Sequence, residues 1–219
     1  MITHKDIIDN PDIREYITAA DASLAALGYT EHAFAHVGKV AEDAAYILKT
    51  LGYTEHDVEL VRIAGYLHDV GNLVNRVEHS QSGAVIAFRL LDKLDMPPSD
   101  IATVVTAIGN HDEGTGVAVN PVAAALIIAD KSDVRRTRVR NSDYGSFDIH
   151  DRVNWSVKTS KIEISSDKRT LTLTLTIDTE ISSVMDYFEI FLGRMIMCRK
   201  AADSIGLVFS LVINGQKLL

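Results

Sequence analysis

The stretch AGYLHDVGN, residues 64–72, places an imidazole and a carboxylate next to each other inside an otherwise apolar run. Burying such groups costs free energy unless hydrogen bonds, opposite charges or a metal ion compensate them. Either His68 and Asp69 lie at the surface, or other parts of the chain supply partners for them. Where the pair sits in its local structure decides between the two.

The flanking residues predict a helix that carries the pair near its C-terminal end. Thr54 and Asp57 have the spacing of a capping box and Gly71 is typical of a helix stop, so a helix is predicted over 55–70. Helical periodicity places His68 on the apolar face of this helix. The residues on that face are Val58, Val61, Gly65 and His68. The glycine on that face is expected to leave space beside the imidazole.

Helical spacing also characterises five other segments before residue 140. These segments are 12–26, 31–50 with Thr30 as N-cap, 78–94, 99–110, and a last helix that begins at Asn120-Pro121. Together they predict an all-helical region that forms the larger part of the fold.

Three of these helices also end an apolar stripe with an imidazole or a carboxylate: His36, His111 and Asp130. Any one such histidine is more often an ordinary core or surface residue than a ligand. Four separate buried ion pairs, however, would need basic partners, and the inward faces of these helices contain few Lys or Arg. One cation shared by all four helices satisfies them with fewer assumptions.

After residue 141 the pattern changes from helical to alternating. The segments KIEIS and TLTLTLTID flank the turn SSDK and predict a β-hairpin, with the apolar residues Leu171 to Ile177 on one side. A helical pattern follows over 181–195, and GLVFSLVING predicts a final strand. The expected fold is therefore mainly α, a helical domain over 1–145, with a small β-β-α-β extension over 146–219. The extension is expected either to pack on the first domain or to form a homodimer.

The motifs together resemble the HD superfamily of metal-dependent phosphohydrolases over roughly residues 25 to 140. LHDVGN is similar to the central signature of the family, and HSQSGA at 79–84 and IGNHDE at 108–113 are similar to the histidine segments of its binuclear members. The resemblance implies one metal held by His36, His68, Asp69 and Asp130. It implies a second metal, bridged by Asp69 and held also by His79 and His111. Such ligands suit Mn, Fe, Co, Zn or Ni.

The resemblance implies hydrolysis of a small phosphate ester, such as a nucleotide, by a metal-activated hydroxide positioned by Asp69 and His68. Members that hydrolyse cyclic di-GMP carry a lysine where this chain has Asn72, and a Gly-Tyr-Pro segment that is absent here. That substrate is therefore disfavoured. Two alternatives remain open: a di-iron oxygenase of the same superfamily, and a nucleotide-sensing module without turnover.

A basic segment that follows Asp130 is expected to bind the phosphate. If the helix continues, Lys131, Arg135 and Arg138 share one face, and Arg76 is a further candidate. A solvated helix face explains the same pattern equally well.

Composition limits the remaining possibilities. The chain has 219 residues and a net charge of −8, which disfavours a long nucleic acid or an anionic membrane as partner. Cys198 is the only cysteine, which fits a reducing cytoplasm, and no signal peptide is evident at the N-terminus. A small phosphorylated molecule is the expected partner.

Overall fold

The computed structural model describes residues 2–219. That part of the chain contains nine α-helices and one four-stranded sheet; eight helices precede the sheet, and the ninth lies between its second and third strands. The first seven helices are α1 (His4–Asp9), α2 (Pro11–Ala26), α3 (Phe34–Leu51), α4 (Glu55–Leu67), α5 (His79–Lys93), α6 (Pro98–Gly109) and α7 (Pro121–Ser132). The remaining elements are α8 (Ile149–Ser156), β1 (Val157–Ile164), β2 (Thr170–Ile177), α9 (Val184–Ser204), β3 (Val208–Ile213) and β4 (Gln216–Lys217). The mainly helical fold with a C-terminal extension is confirmed.

Helix starts follow the sequence closely where a capping residue is present. The side chain of Thr54 accepts a hydrogen bond from the backbone N–H of Asp57, which completes the predicted capping box of α4. Asn120 caps α7 with Pro121 in the first position. The start of α3 was predicted wrongly: the helix begins at Phe34, because the preceding backbone is engaged elsewhere. The N–H of Glu31, for example, donates to the carbonyl of Arg138 at 2.8 Å.

The core of the helical region forms where α3 packs against α4 and α7. Gly65 of α4 faces α3 directly, and a Cβ atom built on it would lie 2.7 Å from Cα of Ala41. The glycine therefore permits close helix packing, and the expectation that it leaves space beside His68 was wrong. Close packing of α3 on α4 fixes the distance between His36 and His68, one carried by each helix.

The sheet has the order β1-β2-β3-β4. β1 and β2 form the predicted antiparallel hairpin, β3 pairs parallel to β2, and α9 makes the connection between them. The apolar residues of β2 from Leu171 to Ile177 are buried, as the alternation predicts. A two-residue strand, β4, extends the predicted β-β-α-β order.

Helix α9 packs on α7 with one face, so the extension shares a continuous hydrophobic core with the helical region. The buried stripe of α9 includes Tyr187, Phe191, Met195 and Cys198. The division of the chain at residue 145 stays a prediction.

The end of α7 differs from the sequence expectation. Helix α7 ends at Ser132, and the chain leaves the helical path at Asp133, so Lys131, Arg135 and Arg138 do not share a helix face. That prediction was wrong because α7 ends at Ser132, and no proline or glycine in the sequence marks this end.

In residues 2–219 no helix has both the length and the apolar character that crossing a lipid bilayer requires.

Candidate metal centre

Four buried histidines from four different helices point their Nε2 atoms toward a common region. His36 lies in the first turn of α3, His68 caps the C-terminus of α4, His79 begins α5, and His111 follows α6. None is more than 2% exposed. The sequence prediction that distant helices bring these imidazoles together therefore agrees with the geometry, while their role as ligands remains a prediction.

Each of these imidazoles is oriented by a hydrogen bond from its other nitrogen. Nδ1 of His68 donates to the carbonyl of Gly65 at 2.8 Å, and Nδ1 of His111 donates to that of Ile108 at 2.6 Å. His79 bonds the carbonyl of Arg76 at 3.1 Å in the same way. Because Nδ1 donates in each ring, Nε2 is directed into the shared region, where it can bind an ion once it carries no proton. Outer hydrogen bonds of this kind are typical of metal-binding histidines.

The carboxylate of Asp69 lies between two pairs of imidazoles. Its Oδ2 is 3.2 Å from Nε2 of His68 and 3.6 Å from Nε2 of His36. Its Oδ1 is 3.5 Å from Nε2 of His79 and 4.0 Å from Nε2 of His111. Asn72 donates to Oδ1 at 3.0 Å and thereby fixes the orientation of the carboxylate. One oxygen thus faces each histidine pair, as a carboxylate that bridges two ions would.

Asp130 completes the first of these two clusters. Its Oδ1 lies 3.4 Å from Nε2 of His36 and 3.6 Å from Nε2 of His68. Both of these nitrogen atoms are fully buried and lack a partner in hydrogen-bonding geometry. Two sets of ligand atoms lie close enough together to hold an ion: one from His36, His68 and Asp130, the other from His68, Asp69 and His111. Imidazole nitrogens that lack a hydrogen-bond partner and face carboxylates are suitable ligands for a divalent transition metal.

The second pair of imidazoles, His79 and His111, also requires a positive charge nearby. Nε2 of His79 lies 3.1 Å from Nε2 of His111, and both rings use Nδ1 as donor to a carbonyl. Two lone pairs therefore face each other, an arrangement that a positive charge between or beside them stabilises. The guanidinium of Arg76 approaches Nε2 of His79 at 3.2 Å and supplies part of that charge.

The protonation states in the absence of an ion follow from burial and neighbouring charge. Burial alone would lower the pKa of His68, but the adjacent Asp69 and Asp130 carboxylates raise it to about 10. Burial lowers the pKa of His111 well below its usual value, so that ring is neutral. Burial would raise the pKa values of the two carboxylates, yet they lie well below the usual range because the charges of His68 and Lys131 outweigh it. A proton on His68 therefore occupies the position that a metal ion would take.

We predict from this that metal binding releases a proton from His68. Below pH 10 the ion must displace that proton, so the apparent metal affinity rises with pH by about tenfold per unit over the neutral range. Titration calorimetry with Mn²⁺ at pH 7.5, in two buffers with different ionisation enthalpies, measures the number of protons released. Heats that do not depend on the buffer would contradict the prediction.

Asp133 orients His36 and was missed by the sequence analysis. Its Oδ2 accepts a hydrogen bond from Nδ1 of His36 at 2.7 Å, and both side chains are completely buried. Arg135 donates to the other oxygen of Asp133 at 2.8 Å, and Arg138 donates to its carbonyl at 2.8 Å. Burial alone would raise the pKa of this carboxyl, but the hydrogen bond from His36 outweighs burial and holds that pKa below its usual range.

Replacing Asp133 with asparagine should weaken metal binding while the fold is retained. The neutral amide orients His36 less firmly, and loss of such an outer partner typically lowers metal affinity about 10- to 100-fold. Titration of the apoprotein with Mn²⁺ measures the change. The matched control is Asp203→Asn, an exposed carboxylate of α9. Equal affinities for the two variants would exclude a positioning role for Asp133.

A cavity adjoins the histidine cluster and is lined by basic residues. An inner compartment of about 10 Å³ lies against the candidate ligands and shares four lining residues with an outer compartment of about 380 Å³. Lys131 lines the inner compartment, whereas Arg76 and Arg138 line both. Arg135 lines neither, because its guanidinium is engaged with Asp133 and with the hydroxyl of Thr137. Of the four predicted phosphate-binding residues, the structure therefore brings three together and excludes Arg135 from the cavity.

Two further residues of the cavity were not singled out as phosphate ligands. Arg194 of α9 lines both compartments, and its Nε lies 2.7 Å from Oε1 of Glu113. His32 also lines both compartments, where burial lowers its pKa well below the usual value and keeps it neutral. For Arg194 the only sequence signal is its place three residues after Phe191, which belongs to the buried stripe of α9.

Comparison with known families gives a match over part of the chain. Residues 33–137 match the family model of the HD domain, and this segment contains all six predicted ligands. The segment is therefore an HD domain, of the superfamily that includes metal-dependent hydrolases.

Individual relatives are distant. The chain is 24% identical over 189 residues to the uncharacterized protein MJ1020 of Methanocaldococcus jannaschii. This alignment covers 75% of this chain and 72% of that protein. A crystal structure of a "predicted HD superfamily hydrolase" from an uncultured Thermotogales bacterium is 24% identical, with a TM-score of 0.42. That match covers 62% of this chain and 75% of the other.

Proposed function

We propose that this chain is a metal-dependent phosphohydrolase that acts on a nucleotide or a similar small phosphate ester. The observation that carries the proposal is the Asp69 carboxylate, placed between two imidazole pairs whose lone pairs converge beside a basic cavity. His36, His68, Asp69 and Asp130 would hold one ion, and Asp69, His79 and His111 a second. A bound ion of this kind lowers the pKa of a water molecule to about 7 and polarises a phosphoryl oxygen.

The residues of the chain itself would bind and orient the ester. Nζ of Lys131 lies 2.8 Å from Oδ2 of Asp130, so its positive charge lies beside the ligand cluster, next to which the phosphate would bind. Arg138 is held by the carbonyls of Asp133 and Glu31, so its guanidinium is fixed before the substrate arrives. Arg76 closes the other side. Fixed cations of this kind stabilise the charge that develops on a phosphoryl group during its transfer.

The acidic character of the whole chain supports a small substrate. The chain carries a net charge of −8, and four of its basic residues, Arg76, Lys131, Arg138 and Arg194, line this cavity. A long nucleic acid needs many distributed phosphate contacts, whereas a nucleotide needs only the contacts of one pocket. A homodimer remains compatible with these observations.

Phosphate release tests the proposal directly. The purified protein is stripped of metal, reloaded with Mn²⁺, Co²⁺ or Ni²⁺, and assayed under anaerobic conditions with 4-nitrophenyl phosphate and a panel of nucleotides. Metal-dependent release of phosphate from at least one ester is the expected result. Oxygen consumption with bound iron and without phosphate release would favour the oxygenase alternative. Tight nucleotide binding without turnover would favour the sensing module.

A further inference from the structure

The outer compartment of the cavity is built mostly by parts of the chain outside the HD domain of residues 33–137. Its walls come from the loop at 27–30, the start of α8, and the inner face of α9. Its volume of about 380 Å³ lies in the range of pockets that bind small organic ligands. The inner compartment, at about 10 Å³, has no room for an organic group. A phosphate ester that directs one phosphoryl oxygen into the inner compartment must therefore place its organic group in the outer one.

Arg194 stands at the boundary between the two compartments and is already bound to an anion. Its Nε lies 2.7 Å from Oε1 of Glu113, and Nζ of Lys131 lies 3.5 Å from the same oxygen. The Glu113 carboxylate thus lies between two cations beside the ligand cluster. A phosphate carries more negative charge than this carboxylate and competes with it for both cations.

Two arginines that line both compartments are each paired with an aromatic ring. The guanidinium carbon of Arg194 lies 4.4 Å from the ring centroid of Phe191, and that of Arg76 lies 5.8 Å from the ring centroid of Tyr29. Stacking on a ring restricts each guanidinium while leaving its N–H groups free for a ligand. Both rings also line the outer compartment, where they offer apolar surface to an organic group.

The part of the outer compartment that α8 contributes has the opposite charge. Asp148, the N-cap of α8, and Asp151 line this compartment together with His150 and Asn154, and none of the four lines the inner compartment. The two carboxylates accept hydrogen bonds and repel a second phosphate. The cavity is therefore basic beside the ligand cluster and carries two carboxylates where α8 lines it.

From this arrangement we infer that helices α8 and α9, which follow the HD domain, determine which substrates the site accepts. Arg194 binds the phosphate, and the outer compartment takes an uncharged organic group of nucleoside size that carries hydrogen-bond donors. The preferred substrate class is then a phosphomonoester, and an ester with a second phosphate on its organic group is disfavoured. This inference rests on the proposed function for the reaction itself, but the binding it describes can be measured without turnover.

The first test compares two arginines of the same helix. Arg194→Gln removes the charge at the boundary, whereas Arg199→Gln removes an exposed one. Titration calorimetry of the Mn²⁺-loaded full chain with adenosine, guanosine, cytidine and uridine 5′-monophosphates gives the dissociation constants. For at least one nucleotide, Arg194→Gln should weaken binding about tenfold or more, and Arg199→Gln should leave it unchanged. Equal binding by the two variants, with metal content matching that of the wild type, would overturn the inference.

The second test compares ligands on the wild-type protein. The nucleoside 5′-monophosphate that binds best should bind about tenfold more tightly than its 3′,5′-bisphosphate, because the second phosphate meets the carboxylates of Asp148 and Asp151. Equal or tighter binding of the bisphosphate would overturn the inference. Hydrolysis of 4-nitrophenyl phosphate with no nucleotide binding would also overturn it, yet leave the proposed function standing. Nucleotide binding that depends on Arg194, without turnover of any ester, would support the inference and reject the proposed function.

Discussion

Replacing His68 with alanine should abolish metal binding and reduce phosphate release by a factor of about 10³. Its Nε2 is the one nitrogen that belongs to both groups of candidate ligand atoms, and it lies 3.2 Å from Asp69 and 3.6 Å from Asp130. Without the imidazole, two buried carboxylates face each other with less compensation. Metal content per chain, measured by mass spectrometry after dialysis, and phosphate release with the best ester are the two measurements.

The control for this prediction is His56→Ala, which removes an imidazole from the first turn of the same helix. His56 pairs with Asp100 at 3.0 Å and lines neither compartment of the cavity. We expect this variant to keep its metal and its activity, with at most a modest loss of stability. Wild-type metal content and turnover in His68→Ala would overturn the assignment of His68.

The second large effect concerns the fold around the motif. Gly71→Ala should lower the free energy of unfolding by about 3 kcal/mol or more. A Cβ atom at this position would lie 1.9 Å from the carbonyl oxygen of His79 and 2.4 Å from the backbone nitrogen of Gly83. Both are backbone atoms, so no side-chain rotation relieves the overlap. The segment that carries His68 and Asp69 would have to move away from the start of α5, which carries His79.

Thermal unfolding followed by circular dichroism measures this effect. A loss of about 3 kcal/mol corresponds to a decrease in Tm of roughly 6–12 °C for a chain of this size. Gly38→Ala is the matched control, because Gly38 lies inside α3 and a Cβ atom there meets nothing within 4 Å. That variant should be more stable by about 1 kcal/mol, since alanine favours the helix. A Gly71→Ala protein as stable as the wild type would contradict the packing described here.

The sequence predicted the position of the candidate ligands because helical periodicity fixes side-chain direction. His36, His68, His111 and Asp130 each end an apolar stripe, and a buried stripe points to the centre of a helical bundle. His79 has no comparable stripe, and only the resemblance to binuclear members placed it in the site. The Asp69 bridge was likewise implied by resemblance, and its two-sided geometry became visible only in three dimensions.

The residues that the sequence did not predict depend on tertiary contacts. The hydrogen bond of Asp133 to His36 joins side chains 97 positions apart. Arg135 was expected in the cavity because α7 was expected to continue, and no local signal marks its end at Ser132. Arg194 lies three residues after Phe191 of the buried stripe of α9, but no local signal places this part of α9 beside the cavity, because its position depends on the packing of α9 on α7.

We expect residues from distant helices to surround a common metal ion. A crystal structure of the protein grown with Mn²⁺, with anomalous scattering recorded to locate the ion, tests this expectation. An anomalous peak should lie in contact with Nε2 of His36, Nε2 of His68 and the carboxylates of Asp69 and Asp130, with a second peak between Asp69, His79 and His111 if two ions bind. Bound Mn²⁺ located only at other positions, with these side chains unchanged, would contradict it.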